Sequence, residues 1–431
     1  TGAVTLSLGN APAGVTGSFD PAAPTGTSST LTVSVGAAVA PGVYNLTVGG
    51  TGTAGDRSTP LTLTVSAPVS AVVASVSAGI DHTCGVTSSG AAYCWGYNVY
   101  GGLGNGTTTG SLIPVAVSGG LTFAMVSAGN DYTCGVTTSG AAYCWGLRGQ
   151  LGDGTSGTDR LTPVAVSGGL TFAAVSARGF HTCGVTTSGA AYCWGTNGSG
   201  ELGNGTRTGS LIPVAVSGGL TFAAVTAGDY ETCGVTTSGA AYCWGLNSFG
   251  ASGDGTGTSS TIPVAVSGGL TFAAVSAGFY FTCGVTTSGA AYCWGYNGGG
   301  ELGNGTTTNS LIPVAVSGGH TFATVSAGAS ETCGVTTSGA AYCWGYNGYG
   351  ELGTGTRTAS LIPVAVSGGL TFAAVSIGGS GSTTAPHTCG TTPGGVAYCW
   401  GYNGYGQVGD GTSGTDRLSP VAVSGGLTFG P

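Results

Sequence analysis

Fourteen cysteines fall into seven pairs: Cys84 and Cys94, Cys134 and Cys144, Cys183 and Cys193, Cys233 and Cys243, Cys283 and Cys293, Cys333 and Cys343, Cys389 and Cys399, each with nine residues between. Paired thiols either hold a metal or oxidise to a disulfide. Zinc sites set ligands roughly two to four residues apart and combine two such pairs, so this spacing fits metal poorly. Each pair lies in a version of TCGVTTSGAAYCWG, which stands at Thr232 to Gly245. A Thr-Ser-Gly turn at its centre closes a hairpin in which Gly234 faces Tyr242, Val235 faces Ala241 and the cysteines lie directly opposite, within reach of a disulfide. Gly239 then takes the left-handed position of the turn. Seven such bridges require an oxidising compartment. The alternative is seven pairs of buried thiols in a reducing one.

The remaining reactive side chains offer little chemistry. His82, His181 and His387 occupy one repeat position in separate copies, where holding a loop by hydrogen bonding suits them better than metal binding. DGTSGTD, at 153–159 and 410–416, brings two carboxylates to a Gly-rich turn, short of the roughly six to eight oxygens that calcium takes. Glu201, Glu301 and Glu351 share one loop position and would form a mildly acidic rim. There is no nucleophile elbow, no phosphate loop and no spaced Ser, His and Asp set. No enzyme activity, no metal and no cofactor is expected.

Composition narrows the class. The 431 residues include 89 glycines and no lysine, and charged residues make up 5% against 41% hydrophobic. Short alternating apolar runs in such a chain describe ordered β structure. A net charge of −8 without a basic cluster excludes nucleic acid as an expected partner. No apolar run approaches the ~20 residues of a membrane-crossing helix. The opening on Thr1 in place of methionine reads as a processed product or an excerpt.

Residues 1–67 contain no cysteine and no tryptophan. Five runs, Val4 to Leu8, Val15 to Phe19, Leu31 to Val35, Tyr44 to Val48 and Leu61 to Val65, alternate apolar residues with Ser or Thr. Through APAGVTGSFDPAA, APGVYNLTV and LTLTV this segment resembles the later strands of an immunoglobulin-like sandwich. Such a sandwich has about seven strands in ~100 residues, so the domain is expected to be incomplete, with an unpaired edge and an apolar groove. Either a neighbouring chain donates a strand, or earlier strands lie outside this sequence.

A linker at Ser66 to Ser70 precedes the repeats, which fill 68–431. Cysteine-to-cysteine steps of 50, 49, 50, 50, 50 and 56 residues mark seven copies. Each reads as four strands, FAAVSA, TCGVT, AAYCW and IPVAV. The expected fold is all-β: a seven-bladed β-propeller preceded by the small, incomplete sandwich. The last copy ends where another FAAVSAG would begin, so the ring is expected to close by pairing its terminal segments side by side. One large aromatic per copy, Trp95, Trp145, Trp194, Trp244, Trp294, Trp344 and Trp400, is expected as a wedge between blades.

The pattern AGIDHTCGVTSSGAAYCWGYNVYGGLGNGTTTGSLIPVAV, from Ala78 to Val117, resembles the regulator-of-chromosome-condensation repeat, and the resemblance covers about 360 residues. Departures lie at Leu147 to Gln150, where a loop is shortened, and at Ala251 to Gly253, where LG becomes SG. The paired cysteines also depart from the nuclear member and are similar to secreted bacterial relatives, some of them enzyme inhibitors. Nucleotide exchange, which the nuclear member implies, does not follow from fold across so different a surface.

Strand direction puts the loops after AG and after WG on one upper face, and TTSGA and SGGLT below. Between copies the lower turns hardly change while the upper loops vary. These carry Asp81, His82, Asp131, Tyr132, Phe180, Tyr230, Phe279, Tyr280 and Phe281 in the first loop. The second loop carries Tyr97, Tyr100, Arg148, Phe249, Tyr296, Tyr346, Tyr349, Tyr402 and Tyr405. Rigid aromatics among small polar residues compose a binding surface for protein or glycan. The expected function is a non-catalytic secreted or cell-surface structural and binding protein, part of an extracellular assembly joined through the sandwich edge. A soluble binder such as an inhibitor or adhesin is the alternative.

Overall fold

The computed structural model describes residues 4–24, 28–35, 42–53, 55–65, 75–379 and 386–430. The expected linker at 66–70, and 380–385 of the insertion before His387, lie outside the described residues. The chain divides into two compact units, Thr1–Ser70 and Ala71–Pro431. Among the described residues every regular element is a strand.

The first unit holds β1 (Thr5–Gly9), β2 (Val15–Asp20), β3 (Thr30–Val35), β4 (Gly42–Thr51) and β5 (Arg57–Val65). They form one antiparallel sheet in the order β1-β4-β5 and another of β2 and β3. Among the described residues Val15 and Leu46 are its buried hydrophobic side chains, with Leu8, Val33, Tyr44, Leu61 and Leu63 half-buried against them. That is a thin core for a unit of this length, since even a complete small domain rarely gains more than ~3–5 kcal/mol from its core.

In the second unit, β6 (Val76–Ala78), β7 (His82–Val86), β8 (Ala92–Gly96) and β9 (Ser111–Ala116) form the first four-stranded antiparallel sheet. Six more follow among the described residues, the last from Ala374–Ile377, His387–Thr391, Ala397–Gly401 and Arg417–Ala422. Neighbouring sheets pack against each other, and the last packs against β6 to close a ring of blades. The second strand of a blade, such as β7, is buried throughout because blades cover both its faces. The outermost strand is half exposed, and a proline such as Pro114 blunts its open edge.

The hairpin has the expected register. Cys233 faces Cys243, Gly234 faces Tyr242 and Val235 faces Ala241, and Gly239 has φ 84°. All seven cysteine pairs are disulfide-bonded. The residues flanking the cysteines do a second job. Thr232 Oγ1 and Trp244 Nε1 both donate to the carbonyl of Glu201 in the preceding blade, each at 2.8 Å. Thr282 and Trp294 do the same to Ala251, and Thr83 and Trp95 to Gln407, which joins the last blade to the first. The tryptophans are therefore wedges between blades, each fully buried. Trp194 is the exception. The loop before it is the shortened one, and its buried Nε1 has no hydrogen-bond partner among the described residues.

Nearer the axis, one hydroxyl per blade accepts a backbone N–H from the next. Ser77, Ser127, Ser176, Thr226, Ser276 and Ser326 take those of Ala128, Ala177, Ala227, Ala277, Ala327 and Ile377 at 2.9–3.4 Å. Ser376 closes the circle on Ala78 at 3.1 Å. These hydroxyls line a polar axial cavity of about 110 Å³.

The chain ends meet differently from the expectation. Phe429 pairs with Thr87, while β6 pairs further along the same strand, Val76 opposite Gly85. The two ends lie in line along β7 and not side by side. Phe429 thus supplies the first residue of the first blade's inner strand, its ring 5.8 Å from that of Trp95, as Phe272 does for Trp294 at 5.6 Å. A terminal Phe in that place makes up for the short β6.

Three residues expected on the upper surface are buried in the seams: His82, Tyr132 and Phe281. Each is the first residue of its blade's second strand and points at the next blade. His82 Nε2 bonds Thr133 Oγ1 at 2.8 Å. His181 and His387 make the same bond to Thr232 and Thr83. Tyr132 Oη donates to the His181 carbonyl at 2.6 Å, and Phe281 packs with Trp344. Glu231 and Glu331 fill the equivalent place, also buried. Arg178, where other copies have glycine, reaches across the axis to the carbonyls of Ala327 (2.8 Å) and Gly379 (3.2 Å) and lies 3.6 Å from Asp229. The expected acidic rim is absent as well. Glu201, Glu301 and Glu351 are buried because their carboxylates turn inward to accept the N–H groups of Ser199, Gly299 and Tyr349.

Burial lowers the His82 imidazole to about 4 and those of His181 and His387 to about 3. It raises Glu301 to about 7 and Glu351 in the same direction, and lifts Glu231 and Glu331 well above the usual carboxylate range. The unfolded chain binds protons on its histidines below ~6.5 that the fold excludes, so stability falls as pH drops below that value. It also releases glutamate protons above ~4.5 that the fold retains, so stability falls as pH rises through the raised values.

Two outcomes are expected. Melting should be highest between pH ~4.5 and ~6.5, and E231Q/E331Q should lose less melting temperature than wild type between pH 5.5 and 8.5; an identical alkaline loss would contradict this. Phe429→Ala should cost about 3–5 kcal/mol in guanidinium unfolding, matching Phe272→Ala. A cost well below that of Phe272→Ala would mean that the ring does not close through residue 429.

Candidate binding face

Each second upper loop hangs from the first. The N–H after Trp-Gly donates to the middle residue of the first loop: Tyr97 to Asp81, Leu246 to Tyr230 and Tyr296 to Tyr280 at 2.9 Å, Tyr402 to Pro386 at 3.0 Å. Both loops of a blade therefore share a face, as the strand directions require. A buried asparagine then pins the second loop from inside. Asn98 Nδ2 donates to the carbonyls of Thr107 and Thr109, and its Oδ1 accepts from the Leu103 N–H. Asn197, Asn247, Asn297, Asn347 and Asn403 are buried in the same way. The sequence signal for these asparagines is their fixed place, two residues after six of the seven Trp-Gly pairs. The shortened loop carries Arg148 there instead, exposed and 3.3 Å from Asp159.

On that frame the remaining aromatics gather into two arcs. The first crosses the first, seventh and sixth blades: Tyr97 to Tyr405 (5.0 Å between ring centres), Tyr405 to Tyr402 (6.3 Å), Tyr402 to Tyr349 (5.4 Å) and Tyr349 to Tyr346 (6.4 Å). Tyr346 and Tyr405 are 44% and 45% exposed, and Tyr100 is half-buried beside Tyr97. The second arc joins the fourth and fifth blades: Tyr230 to Phe279 (5.9 Å) and to Tyr280 (5.6 Å), Tyr280 to Phe249 (5.1 Å) and Phe249 to Tyr296 (5.3 Å). Phe180, in the third blade, is 37% exposed and stands outside both.

Two first-loop residues bear left-handed backbones without being glycine, Asp131 with φ 58° and Tyr280 with φ 66°. Such conformations cost of order 1 kcal/mol or more and persist only where the surroundings enforce them. One lies beside each arc.

The charges separate by role. In the DGTSGTD loops, Asp153 accepts from Thr155 and lies 2.9 Å from Arg160, and Asp410 accepts from Thr412 and pairs with Arg417. A guanidinium thus occupies the seat where a metal cation would sit. Among the described residues no group of three or more His, Cys, Asp or Glu is placed to hold a metal ion. Asp81 and Asp131 differ: neither has an ion pair among the described residues. Burial, joined at Asp81 by the charge of Asp131, raises both to about 6.

Known proteins share this architecture. One model of the regulator of chromosome condensation (RCC1) repeat matches residues 73–101, 126–152, 172–201, 222–251 and 272–301. A second matches 89–136, 188–235, 288–335 and 338–385. No curated protein matches by sequence. Among solved structures, Prp20p of Saccharomyces cerevisiae is 20% identical with a TM-score of 0.64, covering 71% of this chain and 80% of that one. Human WBSCR16 is 18% identical with a TM-score of 0.68, over 78% and 94%. The receptor kinase CR4 ectodomain of Physcomitrella patens is 22% identical with a TM-score of 0.50, over 83% and 90%. The two repeat models together span more than half of the residues, blade after blade through the same Trp-Gly seams, and the chain belongs to the RCC1 repeat family.

Proposed function

We propose that this chain is a non-catalytic extracellular or cell-surface protein that holds a partner on the upper face of its propeller and joins a larger assembly through its N-terminal unit. The observation that carries the reading is the pair of aromatic arcs. Ten rings lie partly in solvent on one face, mounted on loops whose backbones are pinned from beneath, so little conformational freedom remains to be lost on binding. The seven disulfides support an oxidising compartment. No helix among the described residues is long and apolar enough to cross a membrane.

For the N-terminal unit, the support is its thin core and its open strands. β1 and β5 each pair on one side only among the described residues, which suits donation of a strand by a neighbour. The immunoglobulin-like assignment belongs to this proposal. A soluble inhibitor or adhesin would use the same upper face and differ in lacking the assembly step.

Because Phe281 is a core residue, the test uses its neighbours. Protein immobilised in its native extracellular fraction should lose at least tenfold of its retained partner on F279A/Y280A, as hot-spot aromatics do, with melting unchanged, and none on Thr237→Ala in a lower turn. Equal retention by F279A/Y280A would overturn the binding face. Light scattering of the full chain should show concentration-dependent association; monomers at all concentrations would remove the assembly and leave the soluble binder.

A further inference from the structure

This inference rests on the reading that the upper face binds, and names what the first arc takes. We propose that Tyr97, Tyr100, Tyr402 and Tyr405, together with Asp81 and Asp131, form a docking surface for lysine or arginine side chains on a basic segment of a partner protein.

The tyrosine rings and the aspartates occupy one locality. After burial, the fields of Asp131, Tyr100, Tyr405 and Asp81 raise the Tyr97 phenol, and those of Tyr405, Asp81, Asp416 and Tyr349 raise the Tyr402 phenol. Tyr97 and Tyr405 stand at 56° to each other with centres 5.0 Å apart, and Tyr402 and Tyr405 at 79°. Rings in such tilted contact leave no gap between them, so a cation would lie on an outward ring face, where an ammonium or guanidinium within ~6 Å of the ring centre is attracted. The two carboxylates add full charges of the same sign.

Nothing in the propeller supplies the missing cation. The sequence has no lysine. Arg148, Arg160, Arg178, Arg357 and Arg417 lie against Asp159, Asp153, Asp229, Asp416 and Asp410, and Arg207 donates to the Gly198 carbonyl of its own loop. Every cation of the blades is thus committed elsewhere, while two half-buried carboxylates on a partly exposed aromatic track have no counter-charge. Charge complementarity therefore selects an external basic group. Arg57 of the N-terminal unit is exposed, so a second copy is the competing occupant.

The pairing carries its own pH signature. Around Asp81 and Asp131 the titratable neighbours are the four phenols and His82, which burial keeps neutral above pH ~4. Asp416 beyond them is paired with Arg357. With both aspartates near 6, attraction for a cation should fade as pH drops through that value.

The test is titration of the disulfide-bonded chain with hexalysine and with its fully Nε-acetylated form by calorimetry. Hexalysine should bind at pH 7.5 and at least tenfold more weakly at pH 5.0, and the acetylated peptide should not bind. D81N/D131N and Y97A/Y405A should each lose at least tenfold. D254N, which removes a charge outside the arc and installs the residue that Asn105 provides in the first blade, should leave binding unchanged. No binding, equal binding of the acetylated peptide, or a loss on D254N as large as on D81N/D131N would overturn the proposal; the last would mean attraction by net charge alone. Self-association abolished by Arg57→Gln would name a second copy as the occupant and overturn the partner-protein assignment. If hexalysine fails while F279A/Y280A still loses the native partner, the binding face stands and the cation site falls.

Discussion

One backbone carbonyl per seam organises the propeller. It belongs to the second upper loop of a blade and accepts both the threonine hydroxyl and the indole N–H of the blade that follows. A net hydrogen bond contributes only ~1 kcal/mol, but these two donors flank the disulfide, so they point at the carbonyl only if the hairpin register is held. The indole they position is fully buried, and truncating a buried Trp costs ~3–5 kcal/mol. Disulfide, register, wedge and seam therefore stand or fall together. At Trp194, where the preceding loop is short, the indole bond is missing while the burial persists.

This constraint divides the molecule into a constant and a free side. The hairpin turn cannot change without moving the cysteines, so the lower face repeats. Above, the carbonyl, the buried asparagine and the hydrogen bond from the post-Trp-Gly residue hold the loop backbones. The aromatic side chains between those anchors are partly exposed, which leaves their types open to vary with the blade.

Much of this was legible in the sequence because its strongest signals are local. A ten-residue cysteine spacing around a Thr-Ser-Gly turn dictates one register, and a step of about 50 residues repeated over seven copies dictates one architecture. What escaped depended on partners in the next blade. His82, Tyr132, Glu231 and Phe281 vary as a surface would, yet each begins a strand and varies with what it meets across a seam. The axial hydroxyls and Arg178 were invisible for the same reason: Ser in an inner strand is ordinary until Ser376 is seen to reach Ala78. Variation among copies marks freedom from the hairpin and does not by itself mark exposure. In the N-terminal unit the five strand runs were readable from alternation, while the pairing of β1 with β4 joins segments more than 30 residues apart that no local pattern specifies.

The division into a constant frame and a binding face is tested most directly by photo-crosslinking in native material, with a benzophenone side chain at Tyr349 in an upper loop or at Thr237 in a lower turn. The binding-face reading predicts a discrete partner adduct from position 349 and none from 237. An adduct from 237 with none from 349 would contradict it.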